Sequence, residues 1–390
     1  MENHTRRMVT RSTSNKYSTQ TRRTIKKVKS TRPRRGRTGV DDAPIGDNAK
    51  GLPALPDELL LEIMSPYPVP KLDPLLKDIQ NRLAVAEEAN KHSKRRDTLT
   101  ALSQTCRNLR RFFRPYVWTR IEVCYGMYVA GEILGNASQN HRKFNCELVR
   151  QLEIVTVRDP SLAQYVKLLN VEVTNYSTRS ILAKLARCIA LFPNLRLVKL
   201  RISLPSRKVD NQAAVKGKAF SRYSYPQIHH VIVSRSAFAF LLSCPSVKSV
   251  DVQSSREWPC RFEPRYLKGF CPHLENLAIR MAELASEAVN TVETLQAFPK
   301  LRTLALKFDY FDYNSFLDVF TALETLKHLK AINFVWNSSI SKACTRHLVL
   351  DFAVQLLRKL QKEDREEKVG SLTYAAFGCM RTERICLSAF

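Results

Sequence analysis

The sequence predicts an α/β chain: a basic N-terminal tail, a short helical module, and an irregular solenoid of parallel strands with outer helices. Three observations predict it. A pattern of spaced apolar residues recurs six times between residues 192 and 334, proline-bounded amphipathic stretches lie between residues 52 and 123, and the first 50 residues hold almost no large apolar side chains. At 390 residues, with 44% hydrophobic and 25% charged, the chain can bury a substantial core.

Residues 1–50 are expected to be a disordered basic tail, because a segment without apolar side chains cannot offset the entropy of ordering. Its first 40 residues carry thirteen Lys or Arg against a single Glu, a large part of a net charge of +27. Arg22, Arg23, Lys26 and Lys27, followed by Arg34 and Arg35, form two clusters of the kind nuclear import signals use. A merely solvated tail is the alternative, and nucleic acid or an anionic surface would also reward such charge.

Residues 51–123 predict a helical module. In LPALPDELLLEIMSPYP, Pro56 stands at a helix start, Asp57 and Glu58 suit its first turn, and Leu59, Leu60 and Ile63 recur at helical spacing before Pro66. A second amphipathic stretch, with Leu72, Leu75, Leu76, Ile79, Leu83 and Ala86, predicts an inserted helix at about 66–97. A third puts Leu99, Leu102, Cys106, Leu109 and Phe113 on one side and is expected to end near Pro115 and Trp118.

The segments LPDELLLEI, LTALSQTCRNLRRFF and PYVW together resemble the F-box motif over roughly Leu52 to Val123, with a longer inserted segment than that family usually has. The resemblance implies a module that docks on the adaptor subunit of an SCF-type ubiquitin ligase, and through it on a cullin. By motif position the docking residues are Leu55, Pro56, Leu59, Leu60, Ile63, Leu102 and Cys106. Three short helices also carry more apolar residues than so small a module can bury by itself.

Residues 124–390 predict the repeat domain. FPNLRLVKL, YPQIHHVIV, CPSVKSVDV, CPHLENLAI, FPKLRTLAL and LKHLKAINF share one apolar pattern, and five of the six share a proline. A weaker copy has Val166, Leu169 and Val171, and successive units begin 29, 33, 19, 27, 27 and 28 residues apart. A nearly constant period means stacked units. This LxxLxL pattern resembles a degenerate leucine-rich repeat, which implies short parallel strands with helices returning outside them. Helical candidates are Ile181 to Phe192, Leu284 to Phe298 and Phe316 to Leu326. The ninth position reads Thr174, Ser203, Ser236, Ser255, Ala282, Asp309 and Asn337, mostly short polar side chains suited to satisfying turn backbone groups. The final ERICLSAF reads as another strand with no polar capping unit after it.

Alternation along each strand sends the repeat leucines inward and their neighbours to an exposed concave face, where Lys199, Arg201, Asp251, Gln253, Arg280, Lys307 and Asn333 are candidate substrate contacts. Cations outnumber anions there, which suits an acidic or phosphorylated segment of a protein substrate; a generally basic surface is the alternative. No phosphate-cradling, nucleophile-elbow or HExxH motif occurs. Adjacent His229 and His230 in a strand point to opposite faces, one packed and one exposed, and Asp309, Tyr310, Asp312 and Tyr313 read as a polar cluster after a strand, either a contact loop or an ordinary turn.

No catalytic residue, metal or cofactor is therefore expected. Ten scattered cysteines without a CxxC pair suit reduced thiols, with Cys106, Cys188, Cys244 and Cys271 as core residues in the nucleus or cytoplasm. No apolar run approaches the roughly 18 residues of a membrane span. The expectation is a protein-binding adaptor acting in ubiquitin-dependent degradation; the alternative is a nuclear nucleic-acid-associated or scaffold protein using its basic tail.

Overall fold

Pro56 takes the N-cap of α1 (Asp57–Met64), and its carbonyl accepts the amides of Leu59 and Leu60. Asp57 and Glu58 fill the first turn, where carboxylates meet the positive end of the helix dipole. The computed structural model describes residues 55–65, 82–129, 131–135, 137–203, 218–253, 265–280, 295–296, 298–308, 319, 323–324, 326, 328–339, 351–360, 369–376 and 379–385. The described residues belong to one unit, residues 50–390; Met1–Ala49, with the basic clusters at Arg22 to Lys27 and at Arg34 and Arg35, lies outside the described residues.

α2 (Arg82–Thr105) is one helix of 24 residues. Residues 82–97, expected in a separate inserted helix, run unbroken into LTALSQT because neither proline nor glycine interrupts them. The break falls at Cys106, which is extended (φ −153°, ψ 173°) and whose thiol caps α3 (Arg107–Trp118) by accepting the Leu109 amide at 3.5 Å. Pro115 sits inside α3 rather than ending it. A proline there forfeits one backbone bond, while burial of Phe113 and Val117 on either side of it holds the last turn helical. Leu60, Met64, Leu99, Leu109, Phe113 and Val117 form a small core of their own.

Next come β1 (Arg120–Val123), a hairpin of β2 (Tyr128–Val129) and β3 (Glu132–Ile133), and α4 (Ala137–Glu153). The hairpin and α2 meet closely. Gly126, at φ +89°, lies so near α2 that a Cβ on it would stand 2.3 Å from the Ala86 Cα, and Ser93 Oγ accepts the Tyr128 amide at 3.1 Å. Gly126→Ala is therefore expected to cost about 2–4 kcal/mol, from left-handed backbone strain and backbone overlap together. Urea unfolding of both proteins measures it, and a change under about 1 kcal/mol would contradict the contact.

The repeats form β4 (Leu168–Val173), β5 (Leu197–Ile202), β6 (His230–Ser234), β7 (Ser249–Gln253), β8 (Asn276–Arg280), β9 (Thr303–Phe308) and β10 (Ala331–Ser339), followed by β11 (Val369–Ala376) and β12 (Cys379–Ile385). With β1 they make a ten-stranded sheet in the order β1-β4-β5-β6-β7-β8-β9-β10-β11-β12, parallel throughout except at β11–β12. Only Phe377 and Gly378 separate those two, too few for a parallel crossover. The fold is thus a solenoid-like α/β arrangement around a large parallel sheet.

Register follows the repeat. Leu169, Val198, Val231, Val250, Leu277, Leu304 and Ile332 stand opposite one another across seven strands, and Ile121 of β1 extends the row. Every apolar repeat position from Val166 to Phe334 belongs to one continuous buried core. Each such side chain contributes roughly 1.5–3 kcal/mol of burial. The recurrent proline has a local cause: in five units the residue before it accepts the amide three residues on (Leu195 to Phe192 at 3.3 Å, for example), which makes proline the second residue of a β-turn.

Spacing selects the return element. Between β4 and β5 the chain has room for α5 (Thr178–Ile189), which buries Ile181, Leu182, Leu185, Ala186 and Ile189. The 19-residue unit from Ile228 to Val247 returns instead through a tighter 3-10 segment, Arg235–Ser243. The helical candidates 284–298 and 316–326 lie largely outside the described residues, as do Ser255, Ala282, Asp309, Tyr310, Asp312 and Tyr313.

Candidate protein-interaction surfaces

Three consecutive leucines on α1 have three different fates. At 100° per residue only one can face inward, and Leu60 does so with Met64 one turn later, at 3% exposure. Leu59 and Leu61 flank that face and stand 50% and 46% exposed. Leu60 is thus a core residue rather than the docking contact expected of it. Pro56 is exposed, and Leu55, Ile63, Leu102 and Cys106 are half-buried, packed against the small core. Leu61 was not singled out from the sequence, although a helical wheel phased on Leu60 and Met64 identifies it.

The module is not separate from the sheet. α2 spans about 36 Å at 1.5 Å per residue; Leu99, near its C-terminal end, joins the small core and Ala89 joins the large one. Between them His92 Nδ1 meets Glu122 Oε2 at 2.8 Å, both buried. Glu122, on β1, also receives Arg120 Nη2 at 3.2 Å and Asn170 Nδ2 at 2.5 Å. Burial alone would raise its carboxyl, but His92, Arg120 and Asn170 outweigh that and bring it down to about 2. On the free edge of β1, Gln151 Nε2 donates to the Glu122 carbonyl at 3.2 Å and so satisfies an acceptor that no strand reaches. The sequence signal for this cluster is weak: charged residues at alternating positions of a short strand usually face solvent.

The face of the sheet opposite the large core carries the candidate substrate contacts, and the register brings them into rows. Lys199, Asp251 and Asn333 share one row, and Arg280 and Lys307 stand opposite one another in the next. Its exposure differs from expectation. Asp251, Gln253 and Lys307 are buried, whereas Lys199, Arg201, Arg280 and Asn333 are half-buried. Lys307 Nζ donates to Asp251 Oδ1 at 2.6 Å, with the side chains 4% and 2% exposed. These residues are two strands apart, about 9.6 Å. Ala278, opposite Asp251 on the intervening strand, leaves room for the lysine stem to cross. Arg201 Nη2 similarly donates to Gln253 Oε1 at 3.3 Å, and Glu172 accepts Ser203 Oγ at 2.8 Å. Charges read as outward contacts are held partly by one another, because unpaired charge on a buried sheet face is costly.

No family model and no curated protein matches the chain. A solved structure, "Leiomodin-1 Actin-Binding Site 2 (ABS2)", is similar over 55% of this chain and 90% of that one, at 13% identity and a TM-score of 0.20, a score too low to carry an argument.

His229 and His230 are both half-buried, not one packed and one exposed; His229 Nδ1 lies 3.3 Å from the Ser246 carbonyl, and burial, then the neighbouring His229, pushes His230 down. Cys188, Cys244 and Cys271 are buried free thiols whose burial raises them, Cys271 to about 12. Cys106 is half-buried and serves as a helix cap. Thr174 differs from the ninth-position expectation: Asn145 Oδ1, from α4, accepts its amide at 3.2 Å, and its own hydroxyl donates to the His141 carbonyl of α4 at 2.7 Å rather than accepting a turn amide. Among the described residues no helix is long and apolar enough to cross a membrane.

Proposed function

We propose that this chain is a protein-binding adaptor, the substrate-recognition subunit of an SCF-type ubiquitin ligase. Its α1–α3 module would be F-box-like and dock on the adaptor subunit, and through it a cullin, while its strand repeats, leucine-rich-repeat-like, hold the target in the nucleus or cytoplasm. One observation carries the reading: α1 has only eight residues, yet it leaves Leu59 and Leu61 largely exposed on either side of its buried face. Exposed leucines on a helix of a small module are the anchors a partner groove takes.

The half-buried Lys199, Arg201 and Arg280 favour an acidic or phosphorylated target segment on the sheet face. The test is a pull-down of the full chain with purified SCF adaptor subunit, beside Leu59→Asp with Leu61→Asp. Both positions are exposed, so the variant should fold as wild type, and its affinity is expected to fall roughly 30-fold or more. A wild-type chain that folds and binds no adaptor would overturn the reading.

A further inference from the structure

We infer that the strand-entry rim of the sheet contacts the phosphate backbone of a nucleic-acid duplex. This surface is distinct from the α1 face and from the sheet face of the proposed adaptor function. The residues directly before β4 to β10 are Lys167, Arg196, His229, Lys248, Glu275, Arg302 and Lys330. Five of these seven are cations, in a chain where 63 of 390 residues are Lys or Arg.

Their placement is rigid. Each carbonyl in the series, from Lys167 to Arg302, accepts two amides of the following unit: Arg196 and Leu197 bond to Lys167, His229 and His230 to Arg196, and so on to Lys330 and Ala331 on Arg302, all at 2.8–3.3 Å. The column therefore advances by one strand spacing per residue, about 4.8 Å, and spans roughly 29 Å from β4 to β10. Lys167, Arg196, Lys248 and Arg302 are exposed, and Lys248 shares its charge with Glu275 at 3.2 Å. Among the described residues no carboxylate pairs with Lys167, Arg196 or Arg302.

The chemistry of the rim chooses the partner class. Beside the column, each turn pairs an exposed proline (Pro193, Pro226, Pro245, Pro272 and Pro299) with a polar residue: Asn194, Gln227, Ser246, His273 and Lys300. A protein partner draws its affinity from large aliphatic or aromatic anchors such as Leu, Trp and Tyr, and the charged column has none; the tips add only prolines and polar side chains. Phosphate oxygens need only cations and polar donors, and a duplex presents a negative charge about every 1.7 Å of its axis. A net charge of +27 raises the encounter rate with such a polyanion.

The test is fluorescence anisotropy of the full chain with a random-sequence 30-base-pair duplex over a salt series. Lys167→Gln with Arg196→Gln and Arg302→Gln is compared with an off-rim control of equal charge loss, Lys94→Gln with Arg111→Gln and Arg179→Gln, all exposed. The rim variant is expected to flatten the slope of log K against log salt by about 2.7 and to bind on the order of 100-fold more weakly at 150 mM salt, whereas the control stays near wild type. Absence of duplex binding by wild type, an unchanged slope in the rim variant, or equal losses in both variants would overturn the proposal. So would tighter, equally rim-dependent binding of a poly-glutamate peptide, which would assign the rim to an acidic protein.

Discussion

Replacing Asp251 with alanine is expected to lower the unfolding free energy by about 3–5 kcal/mol, because it strips the Lys307 ammonium of a buried carboxylate. The two atoms lie 2.6 Å apart with almost no solvent access, so water cannot take over the lost interaction. Replacing both residues by apolar ones, Asp251→Leu with Lys307→Met, should restore stability to within about 1–2 kcal/mol of wild type, since it removes the desolvated charges together. A double-mutant cycle by urea unfolding measures the coupling; a cost below about 1 kcal/mol for Asp251→Ala would mean that the pair is solvated. The result also bears on function. If the pair is structural, charge changes there report on folding, and tests of target capture on the sheet face belong at half-buried Arg201 and Arg280.

Glu122→Ala should be comparably damaging, about 3–5 kcal/mol, for it leaves His92, Arg120 and Asn170 facing a vacated buried acceptor. Its pH dependence has a definite sign. The folded carboxyl is held at about 2, below its ordinary 4.5, so its contribution is fully present above pH 4.5 and is lost as pH falls toward 2. The stability gap between wild type and Glu122→Ala should therefore be constant near neutrality and close progressively below pH 4.5. A gap that stays open down to pH 2 would place the stabilisation elsewhere. The variant should also loosen α2 against the sheet, visible as faster amide exchange around His92 and Ser93.

Much of the solenoid was legible in residues such as Leu277 and Ile279 of one unit and Leu304 and Leu306 of the next. Alternation within a strand fixes which side chains go inward, a recurrent turn proline fixes where each strand begins, and a period near 27 residues fixes that neighbours stack in register. The helical module was less legible for two reasons. In Leu59, Leu60 and Leu61 the apolar run has no phase of its own, so only packing against Leu99 and Phe113 selects Leu60 as the inward residue. At Cys106 the helical pattern runs straight through a break that the backbone makes by turning extended.

By itself, then, the sequence determined the repeat strands β4 to β10, their two faces, the turns before them and the concentration of positive charge, because these depend on near neighbours in the chain; β1, inside the expected helical module, and β2, β3 and β11 were not legible. Only the tertiary structure decided which charged residues are tied to one another. Asp251 and Lys307 are 56 residues apart, and His92 reaches Glu122 from another element. Desolvation and pairing set the fate of such groups, and both depend on what the fold brings within a few ångströms of them.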